Sequence, residues 1–201
     1  MSRRIYAYHG AGHVVAALVL EIPFDKSIIT DTSDDMTFQG DDPLTARGIT
    51  VGLTRVLSAA DINFLFRFMI YRLSGLWAET LVSSSSRSAG SRLDVMLAES
   101  VVQVLADQCV SSAGLLGHAA RCAKELVTES SEMVHAIAAR LLEVDTLTES
   151  AAKELFSFSD LRTVRAVVAM AQPDEFRSVE DQAAIDAFIQ ANPNWPFPSD
   201  S

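Results

Sequence analysis

The chain has 201 residues, with 16 Lys and Arg against 26 Asp and Glu, a formal net charge of −10. No basic stripe able to neutralise nucleic-acid phosphates is visible, so no nucleic-acid partner is expected, and the negative balance argues equally against attraction to an anionic membrane surface. Apolar residues make up 49% of the chain, enough to build a core.

Mean hydropathy is +0.20. Even so, the longest nearly uncharged apolar run, Val14 to Leu20, is stopped by Glu21, far short of the roughly 20 residues a spanning helix needs. His9, His13 and Glu21 spoil the N-terminal stretch as a signal-peptide core, so no membrane insertion is expected. Cys109 and Cys122 form no CxxC pair, and the simplest setting is reduced and cytoplasmic.

In chain order, Arg3 to Leu20 suits a helix ending before Pro23. Lys26-Ser-Ile-Ile-Thr-Asp31 reads as a short strand, and Met36-Thr-Phe-Gln39 as a second. Between Asp31 and Asp42 lie five aspartates. Their spacing does not match a calcium loop, and a solvated loop is expected. Gly40 to Pro43 reads as a turn.

Residues 59–156 read as a helical bundle. Ser58-Ala-Ala-Asp61 fits a capping box, followed by Leu65, Phe66, Met69, Ile70 and Leu73 at helical spacing. Ser83 to Ser91 is a polar loop. One helix is expected from Ser91 to Gln108, another stretch from Leu116 to Leu142 with a break near Thr128 to Ser131, and a short helix from Thr148. Residues 157–201 read as a helical appendage: Ser159-Asp160 caps a helix to Met170, and Ser178-Val-Glu-Asp181 caps one to Gln190. The proline-rich tail holds Trp195 and Phe197, which either pin it to the body or fray with it. The fold class is therefore mainly α with a small β-hairpin or sheet. The organisation is a domain over 1–156 and an appendage over 157–201.

His9 and His13 are four residues apart, which places both imidazoles on one face of a helix. This is the spacing of a paired-histidine zinc site that takes its third ligand from elsewhere. Two polar residues on a surface helix would have the same spacing. His118 and His135 read as packed or surface histidines, and the cysteines as core thiols.

Ala7-Tyr-His-Gly-Ala-Gly-His-Val-Val-Ala-Ala17 resembles the zinc helix of the FtsH-type proteases, membrane-bound AAA+ zinc peptidases with the pattern Ala-x-His-Glu-Ala-Gly-His-Ala. Three further segments resemble that family in order. Tyr71-Arg-Leu-Ser-Gly-Leu-Trp-Ala-Glu-Thr-Leu81 is similar to its Leu-x-Gly-x-x-Ala-Glu segment. Gly90-Ser-Arg-Leu-Asp-Val-Met-Leu-Ala98 is similar to its Gly-Ala-x-x-Asp-Leu-x-x-Ala segment. Ile137-Ala-Ala-Arg-Leu-Leu-Glu-Val-Asp-Thr-Leu147 is similar to its closing Ile-Ala-x-x-Leu-Leu-Glu-x-Glu-Thr-Leu segment.

The resemblance implies an FtsH-type peptidase helical domain, with zinc held by His9, His13 and Asp94. Read locally, Ser91-x-x-Asp94 is instead a capping box, which would give Asp94 a structural job at a helix start. Gly10 stands where the family has its general-base Glu. Losing such a base typically costs about 10²–10⁴ in rate. Glu21 and Glu79 are candidates for a replacement carboxylate, although Glu79 also suits a buried structural role.

No Gly-x-x-x-x-Gly-Lys-Ser/Thr loop occurs, so ATP-driven unfolding is not expected of this chain. The family assembles as rings, partly through its ATPase module, so a homo-oligomer is compatible with the sequence but not required. Three functions follow as expectations. The first is a zinc-binding peptidase fold with little or no hydrolysis that binds peptides or a protein partner, along the strand edges Lys26–Asp31 or Met36–Gln39. The second is an ATP-independent zinc peptidase acting on unfolded chains. The third is a metal-free helical interaction scaffold.

Overall fold

The computed structural model describes residues 3–31, 33–37, 43–49, 56–83, 89–108, 110 and 113–192. In chain order the elements are α1 (Arg3–Val19), β1 (Lys26–Ile29), β2 (Asp34–Thr37), α2 (Pro43–Ala46), α3 (Ala59–Glu79), α4 (Ala89–Asp107), α5 (Leu115–Glu129), α6 (Ser131–Val144), β3 (Thr146–Thr148), α7 (Glu149–Lys153), α8 (Phe158–Met170) and α9 (Val179–Ala191). The protein is mainly helical with one small antiparallel sheet, as the sequence pattern predicts.

Helix α1 is the axis of the core. Every residue from Tyr6 to Val19 is buried. Alanines, glycines and valines make it apolar on all sides, and such a helix is stable only when surrounded. It packs chiefly on α3 and α6, with β1 and β2 laid against it and α8 and α5 beside it. At the crossing of α1 and α3, a Cβ on Gly12 would stand 2.6 Å from the Ser74 carbonyl oxygen and 2.7 Å from the Ala78 Cβ. Gly12 therefore sets how closely these helices approach.

The predicted helix starts are borne out where a cap is local. Ser58 and Asp61 close a reciprocal capping box on α3, as do Ser178 and Asp181 on α9, and Thr148 caps α7. On α8 the cap is Ser157 with Asp160, two residues before the expected Ser159. The bundle's long stretch breaks at Ser130, between α5 and α6.

The sheet differs from a plain hairpin. After α6 the chain turns at Asp145 (φ 60), and β3 pairs antiparallel with β1, so the order is β2-β1-β3. Strand β1 is thus central and both its edges are taken. This corrects the expectation that Lys26–Asp31 offers an open edge; among the described residues β2, pairing Lys26 with Thr37 through Ile29 with Asp34, is an outer strand.

Helix α8 lies on α5, α1 and α9, and Val164, Val168 and Phe176 join the main core. Arg165 is buried between Asp181, 2.9 Å from its Nε, and Glu21, 2.8 Å from its Nη1. Among the described residues, no helix is long and apolar enough to cross a membrane. Cys109, Gln39, Trp195, Phe197 and most of the serine-rich loop lie outside the described residues.

Candidate metal centre

One turn of α1 separates His9 from His13, and both are buried. Their rings meet edge to face with centroids 4.7 Å apart. Helix α3 crosses directly over them at Gly75. A Cβ there would lie 2.7 Å from His13 Nε2, 2.7 Å from His9 Cε1 and 2.8 Å from His9 Nε2. Only glycine leaves room for the two imidazoles.

Helix α4 brings Asp94 to the same spot. Its Oδ2 is 2.9 Å from His9 Nε2 and 3.1 Å from His13 Nε2, and the two Nε2 atoms are 3.0 Å apart. Ser91 and Asp94 lie inside α4, which starts at Ala89, and the Ser91 hydroxyl donates to Glu79 Oε1 at 2.7 Å. The local capping reading of Asp94 therefore does not hold.

The outer hydrogen bonds fix the tautomers. His9 Nδ1 donates to Glu79 Oε1 at 2.8 Å, and His13 Nδ1 donates to the Tyr71 carbonyl at 3.0 Å. Each partner accepts only, so each Nδ1 carries a proton, and in the neutral ring each Nε2 offers a lone pair. Two lone pairs and a carboxylate oxygen then converge within about 3 Å, an arrangement that either a shared proton or a metal cation relieves. A tetrahedral zinc ion with bonds of about 2.0–2.1 Å spaces its donor atoms about 3.3 Å apart, close to this triangle. Two imidazole nitrogens and one carboxylate suit zinc better than calcium or magnesium, which take oxygen ligands.

The electrostatics express the same demand. Burial disfavours the His9 cation, but the hydrogen bonds it donates to Asp94 and Glu79 and the charge of Asp34 outweigh it, raising its pKa to about 10. Asp94 is held below the usual carboxylate range: burial opposes ionisation, and the two histidines overcome it. Arg72, 3.4 Å from Asp94 Oδ1, lies on the other oxygen.

Asp34, at the start of β2, adds a second carboxylate. Its Oδ2 is 3.6 Å from His9 Nε2, and the donor atoms of His9, His13 and Asp34 all lie within 4.8 Å of one another. Burial raises its pKa. A Cβ at Gly10 would stand 3.8 Å from the Asp34 Cβ, 3.7 Å from Leu141 Cδ1 and 3.2 Å from Ser27 Oγ. That hydroxyl is buried without a hydrogen-bond partner.

Of the expected site residues, the structure brings together His9, His13, Asp94 and Glu79. Glu79 sits at Nδ1, across the ring from the converging lone pairs, so it holds His9 in place. Glu21 lies past the C-terminal end of α1, where it pairs with Arg165. His118 contacts Arg121, and His135 accepts from or donates to the Tyr8 hydroxyl at 2.7 Å. Cys122 is a buried thiol pushed up to about 12, chiefly by burial.

The sequence reading missed Asp34, the Tyr71 carbonyl and the role of Gly75. Asp34 was hidden among five aspartates that looked solvated. No protein-family model matches the chain, and no curated protein is significantly similar to it.

Proposed function

We propose that this chain is a zinc-binding protein of the FtsH-type peptidase plan that hydrolyses peptides weakly or not at all and binds an extended peptide or unfolded protein segment. The observation that carries the reading is the convergence of His9 Nε2, His13 Nε2 and Asp94 Oδ2 within 3.1 Å, with both Nδ1 protons already engaged. With both rings neutral, three acceptors aimed at one point suit a divalent cation.

When bound, zinc supplies Lewis acidity and a fixed double positive charge. The chain's own residues do the rest. Glu79 and the Tyr71 carbonyl set the imidazole orientations, and Gly75 leaves the rings their space. Gly10 puts no carboxylate beside the metal from α1, which supports binding over turnover. Beside the centre, β2 is paired by β1 on one side and by no described residue on the other, so that side suits strand addition by an extended chain.

The test is the metal content of protein purified without chelator or a histidine tag. About one zinc per chain, lost in His13→Ala, is expected. Protein that stays free of zinc after incubation with it would refute the reading and leave a metal-free scaffold.

A further inference from the structure

The three-donor triangle leaves one tetrahedral position unfilled by His9, His13 and Asp94. Catalytic zinc keeps that position open for water or substrate, whereas structural zinc closes it with a fourth protein ligand. The contents of that position decide what the centre does.

Among the described residues, Asp34 is a second carboxylate that lies beside both imidazole donors. Its Oδ2 is 3.6 Å from His9 Nε2, near the roughly 3.3 Å that separates ligands around tetrahedral zinc. Its donor atom falls within 4.8 Å of both imidazole donors. Its side chain is 9% exposed, so the carboxylate is withdrawn from water toward the histidines. Two neutral imidazoles and two carboxylates also balance a divalent cation to zero net charge, the form that burial penalises least.

Gly10 explains how the strand gets there. The hairpin of β1 and β2 rests on α1 at this residue, with Ser27 Oγ and the Asp34 Cβ 3.2 and 3.8 Å from where a Cβ would be. A long side chain at position 10 would occupy the space of Asp34 and hold the hairpin off. The residue that removes the helix carboxylate is the same one that admits the strand carboxylate.

We infer that Asp34 is the fourth protein ligand of the metal, completing a closed His9–His13–Asp94–Asp34 centre that ties β2 to α1 and α4. This rests on the metal reading above and changes its meaning. The ion is structural, and it fixes the position of the outer strand on which an extended partner pairs. A closed sphere has no place for a substrate carbonyl, so a general base at position 10 has nothing to serve.

The test uses the full chain stripped of metal and titrated with zinc against a competing chelator. Asp34→Asn is expected to weaken binding more than 100-fold, beyond the roughly 10–100-fold that losing an outer hydrogen-bond partner costs. Asp35→Asn, an exposed neighbour on the same strand, makes the same charge change and should leave affinity unaltered. A smaller loss in Asp34→Asn overturns the proposal. Should that variant not fold, cobalt(II)-loaded wild-type protein decides. A closed tetrahedral sphere gives an intense visible spectrum that added azide leaves unchanged, and a spectrum that shifts with azide overturns the assignment. Wild-type protein that binds neither metal sinks the centre itself, an outcome distinct from a metal-loaded protein with an open position.

Discussion

Glu79 Oε1 lies 2.8 Å from His9 Nδ1, on the opposite side of the imidazole from the Nε2 that meets Asp94. The carboxylate therefore acts on the centre through the ring. It raises the basicity of Nε2 and holds the ring in plane, and Ser91 in turn holds the carboxylate. Glu79→Gln keeps the volume and an acceptor oxygen but removes the charge. The expected result is zinc affinity lowered by about 10–100-fold with the fold intact. Chelator competition measures it, and unchanged affinity would leave Glu79 with a packing role alone.

Two glycines of α1 and α3 should respond in opposite ways to the same methyl group. In Gly75→Ala the Cβ lands 2.7–2.8 Å from both imidazoles, so the rings must move. Overpacking of this kind costs about 1–3 kcal/mol, more than the roughly 1 kcal/mol a helix gains from Ala over Gly. Zinc binding should be lost and the melting temperature lowered. In Gly10→Ala the nearest atom is the rotatable Ser27 hydroxyl at 3.2 Å, so zinc binding should survive. Paired metal analyses and melting curves of the two variants check the contrast.

These glycines also show what was legible in the sequence. Helix starts could be read because a cap is a local device: Ser58 with Asp61 and Ser178 with Asp181 declare themselves within four residues. The His9–His13 face follows from helical periodicity alone. The short strand β3 could not be read, since three residues become a strand only by pairing with β1, more than a hundred residues away. Asp94 sits 81 residues from His13, and its local pattern favoured a cap. Only the segment resemblance pointed to it. The same resemblance carried Gly75, Ala78 and Glu79 as a bare motif, and the fold supplies the reasons: ring clearance, close packing against Gly12, and an acceptor for His9. Asp34 had no such help, because its role depends on the hairpin folding onto Gly10.

Proton release should report the centre directly. In the metal-free protein, burial opposes a charge on His9, but Asp94, Glu79 and Asp34 prevail and lift its pKa from 6.5 to about 10. A raised pKa stabilises the fold fully below 6.5, and that stabilisation is lost as pH rises through about 10. Zinc must displace this proton. At pH 8 an ordinary histidine is already neutral, yet zinc binding here should release about one proton per chain. Apparent affinity should rise roughly tenfold per pH unit across that interval. Calorimetric titration in two buffers of different ionisation enthalpy measures the release; none at pH 8 would contradict the arrangement.

Arg165 holds α8, α9 and the end of α1 together through Asp181 and Glu21. Asp181 is 1% exposed, so removing its partner strands a buried carboxylate. Arg165→Met should cost about 3–5 kcal/mol, read as a lower urea midpoint. Burial works against Asp181 ionisation, but the Ser178 amide and Arg165 overcome it and hold its pKa low. A depressed pKa means stabilisation present above the ordinary carboxylate value and lost as pH falls through the folded one. Wild-type protein should therefore weaken in acid, and the variant, which keeps the Ser178 contact but not the Arg165 one, should weaken less.

The last prediction separates a missing base from a closed sphere. If only the base were missing, Gly10→Glu would be enough to start hydrolysis. The new Cβ would instead meet Ser27 Oγ at 3.2 Å and the Asp34 Cβ at 3.8 Å, setting a second carboxylate beside the first. With Asp34 on the metal, the single variant should stay inactive and lose stability through like-charge crowding. The double variant Gly10→Glu/Asp34→Ala removes the strand carboxylate, opens the fourth position and returns a carboxylate to α1. Chelator-sensitive cleavage of a denatured model protein is expected from the double variant and not from the single one. Cleavage by Gly10→Glu alone would mean that the fourth position is open with Asp34 in place, and the centre would then be a peptidase site lacking one side chain.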